Sequence, residues 1–208
     1  MKRLFLIAFL GAALAAGAAQ AAGEDAEARY QALVAKAKAG EGVVDWAALR
    51  FAYADRPKPP AAAQDVRQQM RAGITGKDYE TALARAQTLI EADYVDGEAH
   101  LAASIAYRGL GKAAESDRER TIAQGLYKSM MTGDGLSPTS AYTVVSIAEE
   151  YQLMSVLGRR VTGQSLMQAG GHGYDVLTTV GPDGDATAYY FQIDRVLEAE
   201  RKLLEPGK

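Results

Sequence analysis

Two clusters of side chains in this chain carry residue types suited to chemistry. The first gathers Asp134, Glu149, Glu150, His172, Asp175 and Asp194 from the C-terminal third. A histidine titrates near neutral pH, and beside a carboxylate it can exchange protons with a reacting group. His172 with Asp175, Glu150 and Asp134 is therefore the candidate catalytic set. A plainer account competes with it. Gly170-Gly171-His172-Gly173 is turn chemistry in which the histidine faces solvent, and acids such as Glu149 and Glu150 are favoured at a helix start by the macrodipole. The second cluster is Asp93, Asp96, Glu98 and His100, oxygens and an imidazole of the kind a hard or borderline cation takes. Here the simpler reading is a helix start, with Asp96 as N-cap and Glu98 in the first turn, so the sequence assigns neither a metal nor a cofactor.

The standard catalytic signatures are absent from the sequence. There is no Walker A lysine, HExxH, SxxK, or GxGxxG before a helix, and Gly163-Gln164-Ser165 runs on to Met167 rather than to the glycine of a nucleophile elbow. Two histidines cannot build a multi-histidine metal site. Zero cysteines exclude a thiol nucleophile, a thiolate site, a disulfide and a lipid anchor on cysteine. The 208 residues carry a net charge of -3, which offers no basic surface to nucleic acid or anionic lipid.

The elements that must position these residues fall into two regions. Alanine dominates before residue 133, the mark of close-packed helices, whereas valine gathers after it. Helical spacing and stop signals predict helices over 24–39, from Asp45 to the proline run Pro57-Lys58-Pro59-Pro60, over 61–72, and over 113–130. Trp46, Leu49 and Tyr53 share one stripe of the second helix, which makes Trp46 a core residue. Between them, 77–92 and 98–110 read as a helical hairpin of tetratricopeptide type, from Ala82, Ala86, Ala103, Tyr107 and Gly111. From Thr132 onward the chain reads as a turn-rich loop, a strand over 141–147, a short helix over 149–157, a strand over 161–169, a hairpin of 174–180 with 188–193, and a last helix over 195–204. The expected fold is α+β: a helical part with one tetratricopeptide-like pair, packed on a small C-terminal antiparallel sheet.

The N-terminus reads as an address. Lys2 and Arg3 precede an uncharged stretch of apolar and small residues, and Ala19-Gln20-Ala21 is a small-x-small cleavage site. Residues 1–21 are expected to be a secretory signal cleaved after Ala21. That leaves 22–208 as a single domain, helical over 22–133 and mixed over 134–208, periplasmic or secreted. No later stretch is apolar enough for membrane insertion.

Val44-Asp45-Trp46 with Leu49-Arg50 and Ala52-Tyr53, Gly133-Asp134-Gly135-x-Ser137-Pro138-x-x-Ala141-Tyr142, Glu149-Glu150-Tyr151, Gln164-Ser165-Leu166 and Gly173-Tyr174-Asp175-Val176-Leu177 together resemble an exported bacterial family, domain of unknown function 4919. The resemblance spans about Tyr30 to Asp194. It implies a signal-bearing α+β protein and brings no catalytic residues with it. The expected role is a non-enzymatic interaction or scaffold module whose partner is a protein or envelope component. The alternative is a small envelope hydrolase or lyase using the His172 and carboxylate cluster. The oligomeric state is left open by the sequence.

Overall fold

The structure, a computed structural model, describes residues 7–40, 42–56 and 64–204, and side chains over 23–40, 42–56 and 64–201. The side chains of the expected signal segment and the proline run 57–60 lie outside the described residues. Among the described residues the chain forms eight α-helices and a four-stranded sheet, an α+β arrangement. Two compact units divide it: residues 1–57 with 197–208, and residues 58–196.

In the first unit, α1 (Ile7–Ala39) and α2 (Trp46–Asp55) pack together. The helix expected from residue 24 is thus the second half of a longer one. Asp45 starts α2 by accepting the Ala48 N–H at 2.9 Å, satisfying a backbone donor that the helix itself leaves open. Arg56 ends it with its guanidinium over the rings of Tyr30 and Tyr53, 4.2 and 4.7 Å from their centroids, a cation–π arrangement that also reaches Glu27 at 3.3 Å. Trp46 is half-buried rather than a core residue, and Leu49, Arg50 and Ala52 are the buried members of that helix. Of the expected stripe Leu49 alone is fully buried, and Tyr53 is half-buried like Trp46.

The second unit begins with four helices in sequence: α3 (Gln64–Gly76), α4 (Tyr79–Ala92), α5 (Gly97–Gly109) and α6 (Ala113–Met130), each packed on the next. Small residues set the spacing. Ala86, Ala99 and Ala103 are buried with Met70 and Leu89 in one cluster. A Cβ on Gly109 would come within 2.3 Å of the Tyr79 ring, so α5 approaches α4 only because that position has no side chain. Asp78 and Asp96 cap α4 and α5, accepting the N–H of Thr81 and Ala99 at 3.1 Å each.

After α6 comes β1 (Tyr142–Thr143), then α7 (Ile147–Val156), β2 (Arg160–Ala169), β3 (His172–Val180), β4 (Ala186–Gln192) and α8 (Asp194–Leu204). The strand order is β1-β4-β3-β2. β2, β3 and β4 are antiparallel, but β1 runs parallel to β4, so the sheet is mixed rather than antiparallel as expected. The strand expected over 141–147 shrinks to two residues. Ser146 caps α7, the Glu149 N–H donating to its hydroxyl at 3.4 Å, and Glu149 Oε2 reaches back to the Val145 N–H at 2.8 Å. That reciprocal cap turns the β-branched run into a helix start. Ahead of β1, the turn at Gly135 has φ +75 and accepts the Tyr190 N–H at 2.8 Å, holding the loop to β4.

One face of the sheet carries Leu177 and Phe191 into a core with Tyr127 and Met130 of α6 and Leu153 and Met154 of α7. Cysteine being absent, burial of this kind supplies the cohesion. Phe191→Ala is expected to lower unfolding stability by about 3–5 kcal/mol, measured by urea denaturation. Leu166→Ala, at an exposed position, should stay within about 0.5 kcal/mol.

Candidate functional site

Between α7 and the sheet lies a pair of buried carboxyls. Glu150 of α7 is 0% exposed and Asp175 of β3 is 4% exposed. No N–H or O–H donor reaches either oxygen of Glu150, and the group it meets is the Asp175 carboxyl. Two negative charges in a dry space repel, so one of them keeps a proton. Burial, together with the charge of Asp175, pushes the Glu150 carboxyl up to about 9. A protonated Glu150 then supplies the missing donor itself, giving its O–H to Asp175. Asp175 is held from its other side by Gln164 of β2, whose Nε2 donates to Oδ2 at 2.7 Å. The Gln164 Oε1 accepts the Tyr151 hydroxyl at 2.7 Å. The chain of contacts thus runs from exposed Tyr151 through Gln164 to Asp175 and Glu150.

Tyr151 also belongs to a groove of about 240 Å³. Its walls are Leu101 of α5, Tyr127 of α6, and Ala148, Gln152, Ser155 and Val156 of α7, with Arg67, Arg71 and Glu98 along one side. Arg67 and Arg71 stand one turn apart on α3 and meet the first turn of α5. Arg67 binds Asp96 at 2.5 Å and Glu98 at 2.9 Å, while Arg71 binds both oxygens of Glu98 at 2.5 and 2.9 Å. Burial alone would raise Glu98, but the bonds and charges of Arg71 and Arg67 outweigh it and hold the carboxyl below its ordinary range. The same balance raises both arginines, and burial raises the Tyr127 phenol.

Of the candidate catalytic set, Glu150 and Asp175 are brought together and the other two are not. His172 is exposed and its Nδ1 lies 2.6 Å from Asp194 Oδ2, with the Gly173 N–H donating to the other oxygen at 2.8 Å. Asp134 organises its own loop, accepting the Ser140 hydroxyl at 2.5 Å and the Leu136 N–H at 2.9 Å, which together lower its carboxyl. The candidate cation ligands separate as well. Asp93 accepts the Val95 N–H, Asp96 and Glu98 turn to Arg67, and His100 spans from Glu119 at 2.5 Å to the Tyr94 carbonyl at 2.9 Å. Among the described residues no three His, Cys, Asp or Glu side chains are grouped to hold a metal.

Sequence reasoning missed Arg67, Arg71, Tyr127 and Gln164. The i, i+4 arginines opposite an acidic helix start were the available signal. Gln164 is ordinary by type for a strand, and its one signal was its place in a segment that carries the family resemblance.

These features define an α+β protein in which a helical array and a capped helix cover one face of a small mixed sheet. The chain belongs to the family described as Domain of unknown function (DUF4919), whose model matches residues 25–202. No curated protein and no solved structure matches it.

Glu150 fixes a pH dependence. In the unfolded chain it ionises above its ordinary value of 4.5, whereas folded it keeps its proton to about 9, so this group's contribution to stability falls as pH rises between those values. In Glu150→Gln the amide stays neutral and still donates to Asp175. The melting temperature of the variant minus that of the wild type should climb from pH 5 to pH 9, read by thermal scans in matched buffers. Parallel profiles would refute the protonated Glu150.

Proposed function

We propose that the chain is a non-enzymatic protein-interaction module of the bacterial envelope, which receives an extended segment of its partner in the groove between α3, α5 and α7. The lining of that groove carries the reading. Leu101, Tyr127, Tyr151 and Val156 offer apolar and aromatic surface, and Arg67, Arg71, Glu98 and Gln152 offer polar contacts along its margin, the composition of protein-binding surfaces. The groove's one carboxylate is already held by two arginines, so it is poorly placed to move protons. The acid pair that can hold a proton sits beneath α7, away from the lining.

The α4–α5 pair is, in this proposal, tetratricopeptide-like. Ala86 against Ala99 and Ala103, and Tyr79 against Gly109, support it. Stacked helix pairs form concave surfaces suited to peptides. Export follows from the signal reading of residues 1–21. A second reading, an acid–base enzyme, is favoured by the neutral Glu150 beside Asp175 and requires α7 to move before a substrate reaches them.

Peptides selected from a random display library on the purified protein are expected to bind with micromolar affinity. Tyr151→Ala and Arg71→Glu should each weaken them at least about tenfold, by isothermal titration. Selection that enriches nothing, or peptides indifferent to both variants, would sink the groove assignment. Export has its own readout: protein from the periplasmic fraction should have the mass of a chain starting at Ala22, and an uncleaved cytoplasmic chain would overturn it.

A further inference from the structure

Among the described residues the sheet ends on one side in β2, which has no strand beyond it. At the other side, β4 is covered by the short β1 and by the Gly135 loop. β2 is ten residues long and pairs with β3 alone. Its ladder shifts between Val161 and Gly163 and is then regular from Gly163 to Ala169. Among the described residues this stretch has no strand partner on its outer side.

Exposed edges are normally protected by lysine, proline, bulges, inward charges or brevity. β2 has a bulge between Val161 and Gly163, but the regular stretch from Gly163 to Ala169 carries no charge and no proline; its one charge, Arg160, stands at the end beyond the bulge. Exposed apolar groups flank the edge instead. Leu166 is 64% exposed and shares the core-side face with Gln164, whose amide is bonded to the half-exposed Tyr151.

The geometry points to β2 as a homodimer interface, in which β2 of a second copy adds antiparallel across a two-fold axis at Ser165 and makes one eight-stranded sheet. Charge and symmetry select this occupant. A strand pairing with itself needs a sequence that does not repel itself. Centred on Ser165, Gln164 faces Leu166 of the copy and Gly163 faces Met167, while Arg160 falls opposite Gly170 and far from its twin. No charged residue meets a like charge along the ladder, and the pleat is preserved because paired residues share a face. The two Leu166 side chains then lie on the same face on either side of the axis, beside Tyr151. The regular part of the ladder about that axis is five residues, Gly163 to Met167, and with these flanks it covers less than the roughly 800 Å² per partner of a standard interface, so the association is expected in the micromolar range.

Sedimentation velocity on the full chain, from about 1 µM to about 1 mM, should show a monomer–dimer equilibrium. Leu166→Lys, which sets two like charges near the axis, should weaken it at least about tenfold while circular dichroism stays unchanged. The absence of native cysteine provides the decisive arm. Ser165→Cys places the new thiol opposite its own copy and should crosslink on mild oxidation, whereas Thr178→Cys, exposed on β3, should not. A chain that stays monomeric overturns the proposal, including one whose edge takes up only a foreign peptide. So does a dimer that survives Leu166→Lys or fails to crosslink through Ser165→Cys.

Discussion

Glu150 and Asp175 occupy one dry space between α7 and β3, where only one of them can be charged. A buried ionised carboxylate without a donor costs several kcal/mol, and the protein meets that cost by leaving a proton on Glu150. The retained proton supplies the hydrogen bond that the surroundings omit. The position of α7 depends on this contact as well as on Leu153 and Met154, because separating helix from sheet would strand a carboxyl pair as well as expose apolar surface. Everything on the outer side of α7 inherits its position from the inner side, including Tyr151, Gln152 and Ser155 of the groove.

Tyr151 joins the two sides. Its ring lines the groove and its hydroxyl ends the hydrogen-bond chain that begins at Glu150. A side chain docked against Tyr151 would therefore press on Gln164, and through it on the carboxylate that accepts the Glu150 proton. On the opposite wall, the Arg67 and Arg71 cluster performs a similar fixing task for α3 and α5. Its charges balance internally, so it gives the groove shape and directed N–H groups without a strong net field.

How far the sequence disclosed this can be judged element by element. Asp45 and Asp96 cap where the helix-start pattern placed them, and the hairpin of β3 and β4 follows its alternation because local rules and burial agree there. The run Thr143-Val144-Val145 misled because strand preference reports a fit to a pleated surface, whereas Ser146 and Glu149 close a cap that ends the strand after two residues. The acid pair was half legible. Glu150 and Asp175 were singled out by type, and three segments that carried the family resemblance, around Glu150, Gln164 and Asp175, meet in one network. That Glu150 faces inward, whereas His172 faces solvent, is decided by which residues of α7 and β3 share the core side. Spacing along the chain does not encode that.

The cluster from Asp93 to His100 shows why residue type alone overstates a site. Four potential ligands within eight positions would have to point to one centre to hold a cation. Because helix α5 starts inside the cluster, its members are spread around the helix start. Asp96 is committed to the Ala99 N–H and Arg67, Glu98 to two arginines, and His100 to Glu119 on the next helix. Each of these three side chains answers a separate demand of helix packing, and each demand uses the oxygen or nitrogen that a metal would need. The same logic applied to α7 gives the opposite result, since there the capping role falls to Glu149 and leaves Glu150 free of backbone duty. A carboxyl without such a duty, held next to another one and out of water, is the arrangement in this molecule that packing alone does not call for.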